Sequence, residues 1–239
     1  MKIGIMQPYF LPYLGYWQLM NLVDEYVILD DVNYIKRGWV NRNRILLNGK
    51  DHMITLPMDK ANPFMKINEN TLCDIPDKII KTIDLAYHKA PLYRQGISIC
   101  EKILSFKERN LAKFLINSIR VVAEALNIET NLLVASELNH SPELKAQEMI
   151  IDICRIRNAT EYYNAIGGME LYSQAAFAAK GMRLFFLKSK LPEYNQFGNG
   201  FVPGLSILDL LMFNPIDKIK DMLAQYELCT PIEKGFAEQ

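Results

Sequence analysis

Histidine is scarce in this chain. His52, His88 and His140 are the three in 239 residues, and no two of them stand at the i, i+4 spacing of a helical zinc motif, so no metal site is expected. The four cysteines, Cys73, Cys100, Cys154 and Cys229, never approach a C-x-x-C pattern. Scattered thiols of this kind suit a reducing compartment, where they act as small buried apolar groups, and a cytoplasmic location is expected. Excess charge is missing as well: 27 basic residues balance 27 acidic ones. That excludes a free-standing basic footprint, so nucleic acid is not an expected partner, although a local patch at Lys36 to Arg44 stays open. Neither a G-x-x-x-x-G-K-[ST] phosphate loop nor a G-x-S-x-G elbow occurs. Gly198-Asn199-Gly200 lacks a third glycine and follows no clear strand, which leaves a dinucleotide fingerprint unsupported. Internal repeats and low-complexity segments are lacking. Ile3 to Val23 carries no formal charge, but Pro8 and Pro12 would open its backbone ladder in hydrocarbon. It also lacks the unbroken apolar centre and cleavage site of an export signal. No membrane span is expected.

What is present alternates between two periods. Ile3 to Met6 reads as a strand, Trp17 to Val23 as a helix and Tyr26 to Leu29 as a second strand. Asn48-Gly49 between Ile45–Leu47 and Met53–Leu56 predicts a hairpin, because Gly supplies the positive φ of the turn, and Pro57 ends its second strand. Lys60 to Asn70 reads as a loop. Helices are expected at Pro76–Lys89, Ile97–Leu104 and Leu111–Leu126. Further on come a strand at Leu132–Ala135, a helix from Ser141 (N-cap) and Pro142 to about Arg157, and a strand at Glu161–Asn164. A helix at about Met169–Lys180 closes on Gly181, and a fifth strand follows at Met182–Leu187. A second polar loop spans Leu191–Gly204. Ser206 caps Ile207–Phe213, Ile216–Tyr226 is the last helix, and Pro231 to Gln239 is expected to fray. The alternation argues for an α/β fold with a mostly parallel, doubly wound sheet, Rossmann-like and nucleotidylyltransferase-like. The expected organisation is one domain over 1–239, with a mainly helical insert at about 58–128.

Polar residues crowd after the first two strands, where open α/β sheets bind ligands. In Tyr13-Leu14-Gly15-Tyr16 two tyrosines stand where H-x-G-H nucleotidylyltransferases carry histidines. Gly15 could let a ligand approach the backbone, and the helix start could hold an oxyanion. Gln7, Tyr9, Tyr13 and Tyr16 are candidate substrate contacts there. Asp30 and Asp31 end the second strand and point to opposite faces; Asp31 is a candidate base. Lys36, Arg37 and Arg42 suit phosphate, with Asn41 between them. His52 is the alternative base, since imidazole titrates near neutrality. Gln196, Ser206 and Asp209 could bind a polyhydroxylated ligand, and equally fit as loop and helix-start residues.

Three blocks carry a likeness: Met6-Gln7-Pro8-Tyr9-Phe10 with Pro12-Tyr13-Leu14-Gly15-Tyr16, then Asp30-Asp31-Val32 with Ile35-Lys36-Arg37-Gly38-Trp39-Val40-Asn41-Arg42-Asn43, then Phe201-Val202-Pro203-Gly204-Leu205-Ser206-Ile207-Leu208-Asp209. Ile54-Thr55-Leu56-Pro57 and Tyr87 with Ala90-Pro91 add to it. Together they resemble the WbqC-like protein family over nearly the whole chain. The resemblance implies a bacterial protein of O-antigen or related glycan biosynthesis, with an acyl- or aminoacyltransferase role, for example glycyl transfer to an amino sugar. It carries over no catalytic residue. On the residues themselves Asp31 or His52 is the base, backbone near Leu14 and Gly15 with Asn41 the oxyanion site, and Arg37 with Arg42 the phosphate site. A sugar nucleotide is the expected small-molecule partner, and no tightly bound cofactor is expected. The acyl donor is a carrier-protein thioester, a CoA ester or an aminoacyl-tRNA. A nucleotidylyltransferase-like enzyme and a non-catalytic sugar-nucleotide-binding protein are the alternatives.

Overall fold

A computed structural model describes residues 1–74, 77–198 and 200–230. Its centre is a six-stranded sheet of β1 (Lys2–Met6), β2 (Glu25–Ile28), β7 (Asn131–Val134), β8 (Glu161–Ala165), β9 (Arg183–Ser189) and β10 (Tyr226–Cys229). The spatial order is β10-β9-β8-β1-β2-β7. All neighbours pair in parallel except β10, which runs antiparallel along β9. The protein is therefore mixed α/β with a mostly parallel central sheet. The chain builds outward from β1 to one edge through β2 and β7, then returns and builds outward through β8 to the other.

Both sheet faces are covered, as parallel strands require. Ile3, Ile5, Val27, Leu184 and Phe186 pack with Ile150, Ile153 and Cys154 of α5 (Ala146–Ile156) and Phe177 of α6 (Gln174–Ala178). The opposite face takes α1 (Leu14–Leu22), whose residues from Leu14 to Met20 are all buried. A helix sealed on every side reads as apolar all round rather than striped. Its buried Gln18 is satisfied by donating to the carbonyls of Met222 and Gln225 and accepting from Ser189 Oγ. Those bonds tie α1 to the ends of β9 and of α8 (Ile216–Leu223).

β3 (Arg42–Leu47) and β4 (Lys50–Thr55) form a separate hairpin. Asn48 and Gly49 in its turn have φ of +52° and +74°, the pair of positive values that a two-residue hairpin turn demands. Beyond it lie the short ladder of β5 (Met58–Asp59) with β6 (Thr71–Leu72), and α2 (Asp77–Tyr87), α3 (Tyr93–Leu104) and α4 (Leu111–Ala125). Their apolar faces join one core with α1, α8 and α7 (Ile207–Phe213).

Several expected boundaries move. The first helix begins at Leu14, three residues before Trp17, because the Tyr13 carbonyl accepts from Tyr16 N. Ser141 caps nothing: its N–H donates to Asp152 Oδ2, and α5 starts at Ala146. The expected helix over 169–180 is a 3₁₀ segment, Ile166–Leu171, followed by α6, with Ser173 as N-cap. Gly181 has the positive φ expected of it, +74°. The last helix ends at Leu223, and Tyr226–Cys229 pairs as β10 instead. The loop expected at 60–70 holds a 3₁₀ turn, Ile67–Glu69. The expected start of α2 at Pro76 and the frayed end at 231–239 lie outside the described residues. The uncharged stretch from Ile3 divides into β1, a loop and α1. Among the described residues no helix is long and apolar enough to cross a membrane.

Candidate active site at the carboxyl edge of the sheet

The first loop, the basic segment and the 201–209 block meet. Phe10 N donates to the Val40 carbonyl, and Asn43 Nδ2 to the carbonyls of Phe10 and Leu11 at 3.0 and 2.6 Å. Those bonds hold Leu11 in the left-handed region, φ +46°. Ser206 N donates to the Arg44 carbonyl and Ile207 N to that of Pro12, so Ser206-Ile207 is bonded to both of the other segments. All three blocks serve one backbone junction beside the end of β1.

That junction consumes polar groups expected to meet substrate. Asn41 is buried; its Oδ1 accepts from Tyr34 Oη and its Nδ2 donates one of its two N–H groups to the Leu56 carbonyl. Arg42 Nε caps the Gly38 carbonyl at 2.8 Å. The space above Gly15 is filled by the chain itself: a Cβ there would lie 2.4 Å from Tyr13 Oη. Tyr16 is buried, packed edge-on against Tyr9 and Tyr26. Gln7 and Tyr9 are half-buried at the end of β1. Lys36 and Arg37 are exposed on the next loop.

Asp209 is fully buried under α7, where Tyr87 Oη donates to Oδ1 (2.8 Å), and Tyr194 Oη and Gln196 Nε2 donate to Oδ2 (2.6 Å each). Tyr87 Oη also accepts from Leu46 N. One carboxyl thus joins α2, the hairpin and the 191–204 loop, and its burial raises its pKa despite those three donors. Ser206, also fully buried, caps α7 through Leu208 N. Gln196 and Asp209 are together, as cross-links of the interior.

At the other side of the junction stand the two aspartates that end β2. Asp30 is buried and clamps its neighbours: Oδ1 accepts from Ser136 N, and Oδ2 from Ser136 Oγ and Asn68 Nδ2. Asp31 pairs with a different residue, His140, whose Nε2 lies 2.8 Å from Asp31 Oδ2 with both side chains almost wholly buried. His140 follows β7, the neighbour of β2, so both members stand at the carboxyl edge. Asp152 is close behind; the Ser141 N–H, then Arg155, hold its carboxyl below the usual range. His140 Nδ1 and Asp31 Oδ1 are buried and have no hydrogen-bond partner among the described residues. Buried polar atoms are ordinarily satisfied, and exceptions concentrate where a ligand, water or reaction completes them. His52, by contrast, is exposed on β4 opposite Ile45. The sequence placed Asp31 at a strand end; the same signal applied to Leu132–Ala135 would have singled out His140, five residues beyond that strand.

Two hollows lie elsewhere. A small apolar one is bounded by Leu14, Tyr194, Phe201 and Leu205, and an open polar one by Asp24, Glu129 and Thr130 at the amino edge. Among the described residues no group of three His, Cys, Asp or Glu side chains could hold a metal.

The model of the WbqC-like protein family matches residues 7–221. The chain is 28% identical over 215 residues to "Uncharacterized protein Rv1507c" of Mycobacterium tuberculosis (strain ATCC 25618 / H37Rv), an alignment covering 88% of this chain and 92% of that one. No solved structure matches.

Proposed function

The chain belongs to the WbqC-like protein family, and we propose that it is an acyl- or aminoacyltransferase acting on an amino sugar or sugar nucleotide of glycan biosynthesis, with the Asp31–His140 pair as its general base. The observation that carries this reading is the unpartnered Nδ1 of a histidine whose other nitrogen is held by a carboxylate. A carboxylate can only accept, so Nε2 carries a proton, and in the neutral imidazole Nδ1 then presents a lone pair. In acyl transfer the amine nitrogen bonds to the acyl carbon, and the bond from that carbon to its sulfur or oxygen leaving group breaks. The proton released by nitrogen goes to His140 Nδ1 and then to the leaving group. Asp31 fixes the tautomer and offsets the imidazolium charge. Nδ1 is closed to solvent, so the segment between β7 and α5 must shift to admit the amine. On this reading Gln7, Tyr9 and Tyr13, which follow β1, contact the acceptor, and the guanidinium nitrogens of Arg42 beyond Nε bind phosphate.

Incubation of candidate nucleotide-linked amino sugars with CoA-bound, carrier-bound and tRNA-bound glycine, followed by mass spectrometry, tests the reading. An acylated sugar that vanishes in His140→Ala supports it; no adduct with any donor removes it. One observation favours a second reading, nucleotidyl transfer. Counted along the sheet alone, the strands run 3-2-1-4-5-6, the order of doubly wound nucleotide-binding folds, whose ligands sit where the order reverses, here between β1 and β8. Tyrosines at 13 and 16 in place of the histidines weigh against it. Pyrophosphate release from a nucleoside triphosphate, on addition of a sugar phosphate, would select it.

A further inference from the structure

Asn33 and Lys66 form an antiparallel bridge, and Tyr34 N donates to the Met65 carbonyl. Ile35 and Phe64 each stand two residues from that bridge, and they are 54% and 90% exposed. Three residues beyond Ile35, Gly38 N donates back to the Ile35 carbonyl and the chain reaches Trp39, 48% exposed. The Arg44 guanidinium covers one side of that indole at 5.4 Å. Arg44 is paired across the hairpin with Met53, 40% exposed, and cross-strand partners share a face. Ile35, Phe64, Trp39 and Met53 are thus exposed apolar side chains on segments that these bonds and pairings link. Residues 33–44 hold Lys36, Arg37, Arg42 and Arg44 and no carboxylate; Arg44 pairs with Asp51 of the hairpin at 3.5 Å, while Lys36 and Arg37 are exposed, in a chain whose net charge is zero.

We propose that this surface docks an acidic protein domain, a carrier that presents the acyl group as a thioester. The proposal rests on the acyl-transfer reading above. Apolar clusters rimmed by charge mark macromolecular contacts, whereas small ligands take concave sites, and neither the hollow beside Leu14 and Tyr194 nor that beside Asp24 and Thr130 includes these side chains. Cations around an apolar centre complement a partner with carboxylates around apolar side chains. Ile35 and Met53 offer nothing that a nucleic-acid backbone recognises, which favours protein over tRNA as the donor's vehicle.

Trp39 supplies the readout. The other tryptophan, Trp17, is fully buried with its indole N–H on the Pro12 carbonyl, so a change in fluorescence on adding a partner reports the patch. The probe is a tryptophan-free holo-acyl carrier protein, with unacylated tRNA as the competing arm. The expected result is saturable quenching by the carrier, weakened about tenfold or more by Lys36→Glu with Arg37→Glu and by Phe64→Ser, and weakened by added salt. No response to the carrier, or a response to tRNA alone, overturns the proposal. Product formed from acyl-CoA without docking removes the surface and leaves the acyl-transfer reading intact. Docking without product from any donor removes that reading and leaves the surface.

Discussion

His140 Nε2 meets Asp31 Oδ2 at 2.8 Å across 109 residues of chain, at the carboxyl ends of adjacent parallel strands. The contact leaves one nitrogen of the imidazole and one oxygen of the carboxyl with no partner among the described residues. A purely structural pair would gain by satisfying both.

If the pair is the base, His140→Ala lowers kcat by about 10²- to 10⁴-fold, and Asp31→Asn lowers it too by releasing the tautomer. Circular dichroism should remain native in Asp31→Asn, since the amide can still accept from Nε2. Steady-state rates with the donor identified by mass spectrometry check this. Full activity in both variants would withdraw the assignment.

Asp209→Ala should destabilise the protein by about 1–3 kcal/mol for each donor left unsatisfied, of the three it receives. Thermal unfolding measures the loss, and limited proteolysis should cut first within 191–204, the loop that the carboxyl ties down. Because burial raises this carboxyl's pKa, its contribution is complete below the unfolded value and declines as pH rises through the folded one. Asp209→Asn should remove that decline.

Glu25 has the opposite sign. Arg157 donates to both of its oxygens, at 2.8 and 2.6 Å, and this bonding holds the Glu25 carboxyl below its ordinary range. Its stabilisation is present above the unfolded value and lost as pH falls through the lower folded one. Denaturant midpoints measured from pH 6 downward should show a shallower acid decline in Glu25→Gln. An identical slope in both proteins would exclude the pair as a contributor.

Gly15→Ala brings a Cβ to 2.4 Å from Tyr13 Oη and 2.5 Å from Cζ, so the ring must leave its place over the start of α1. Overpacking of this kind costs about 1–3 kcal/mol. Tyr13→Ala should recover most of that loss in the double variant, as measured by thermal unfolding. Additive losses would mean that the ring is not what Gly15 accommodates.

The sequence reading reached furthest where the signal is local. Asn48-Gly49 names its own turn because both residues tolerate positive φ, and Ser206 names its own helix because its hydroxyl satisfies a free N–H. It failed where a distant partner outbid local chemistry. Ser141 looks like a helix cap, yet its N–H goes to Asp152, and Ala146 enters α5 at φ +48°. The last helix is expected to reach Tyr226, yet that residue opens β10, which pairs along the edge that β9 offers. Asn41 and Asp30, polar and clustered in the sequence, bond to backbone or side-chain groups that folding brings to them.

By itself the sequence determined the alternation of strands and helices, the hairpin turn, and the concentration of polar chemistry after β1 and β2, since these follow from backbone propensity and side-chain period. Only the tertiary structure decided which polar groups remain unsatisfied. Whether a buried donor or acceptor has a partner depends on the strand order that sets β7 beside β2, and with it His140 against Asp31, and no local rule specifies that order.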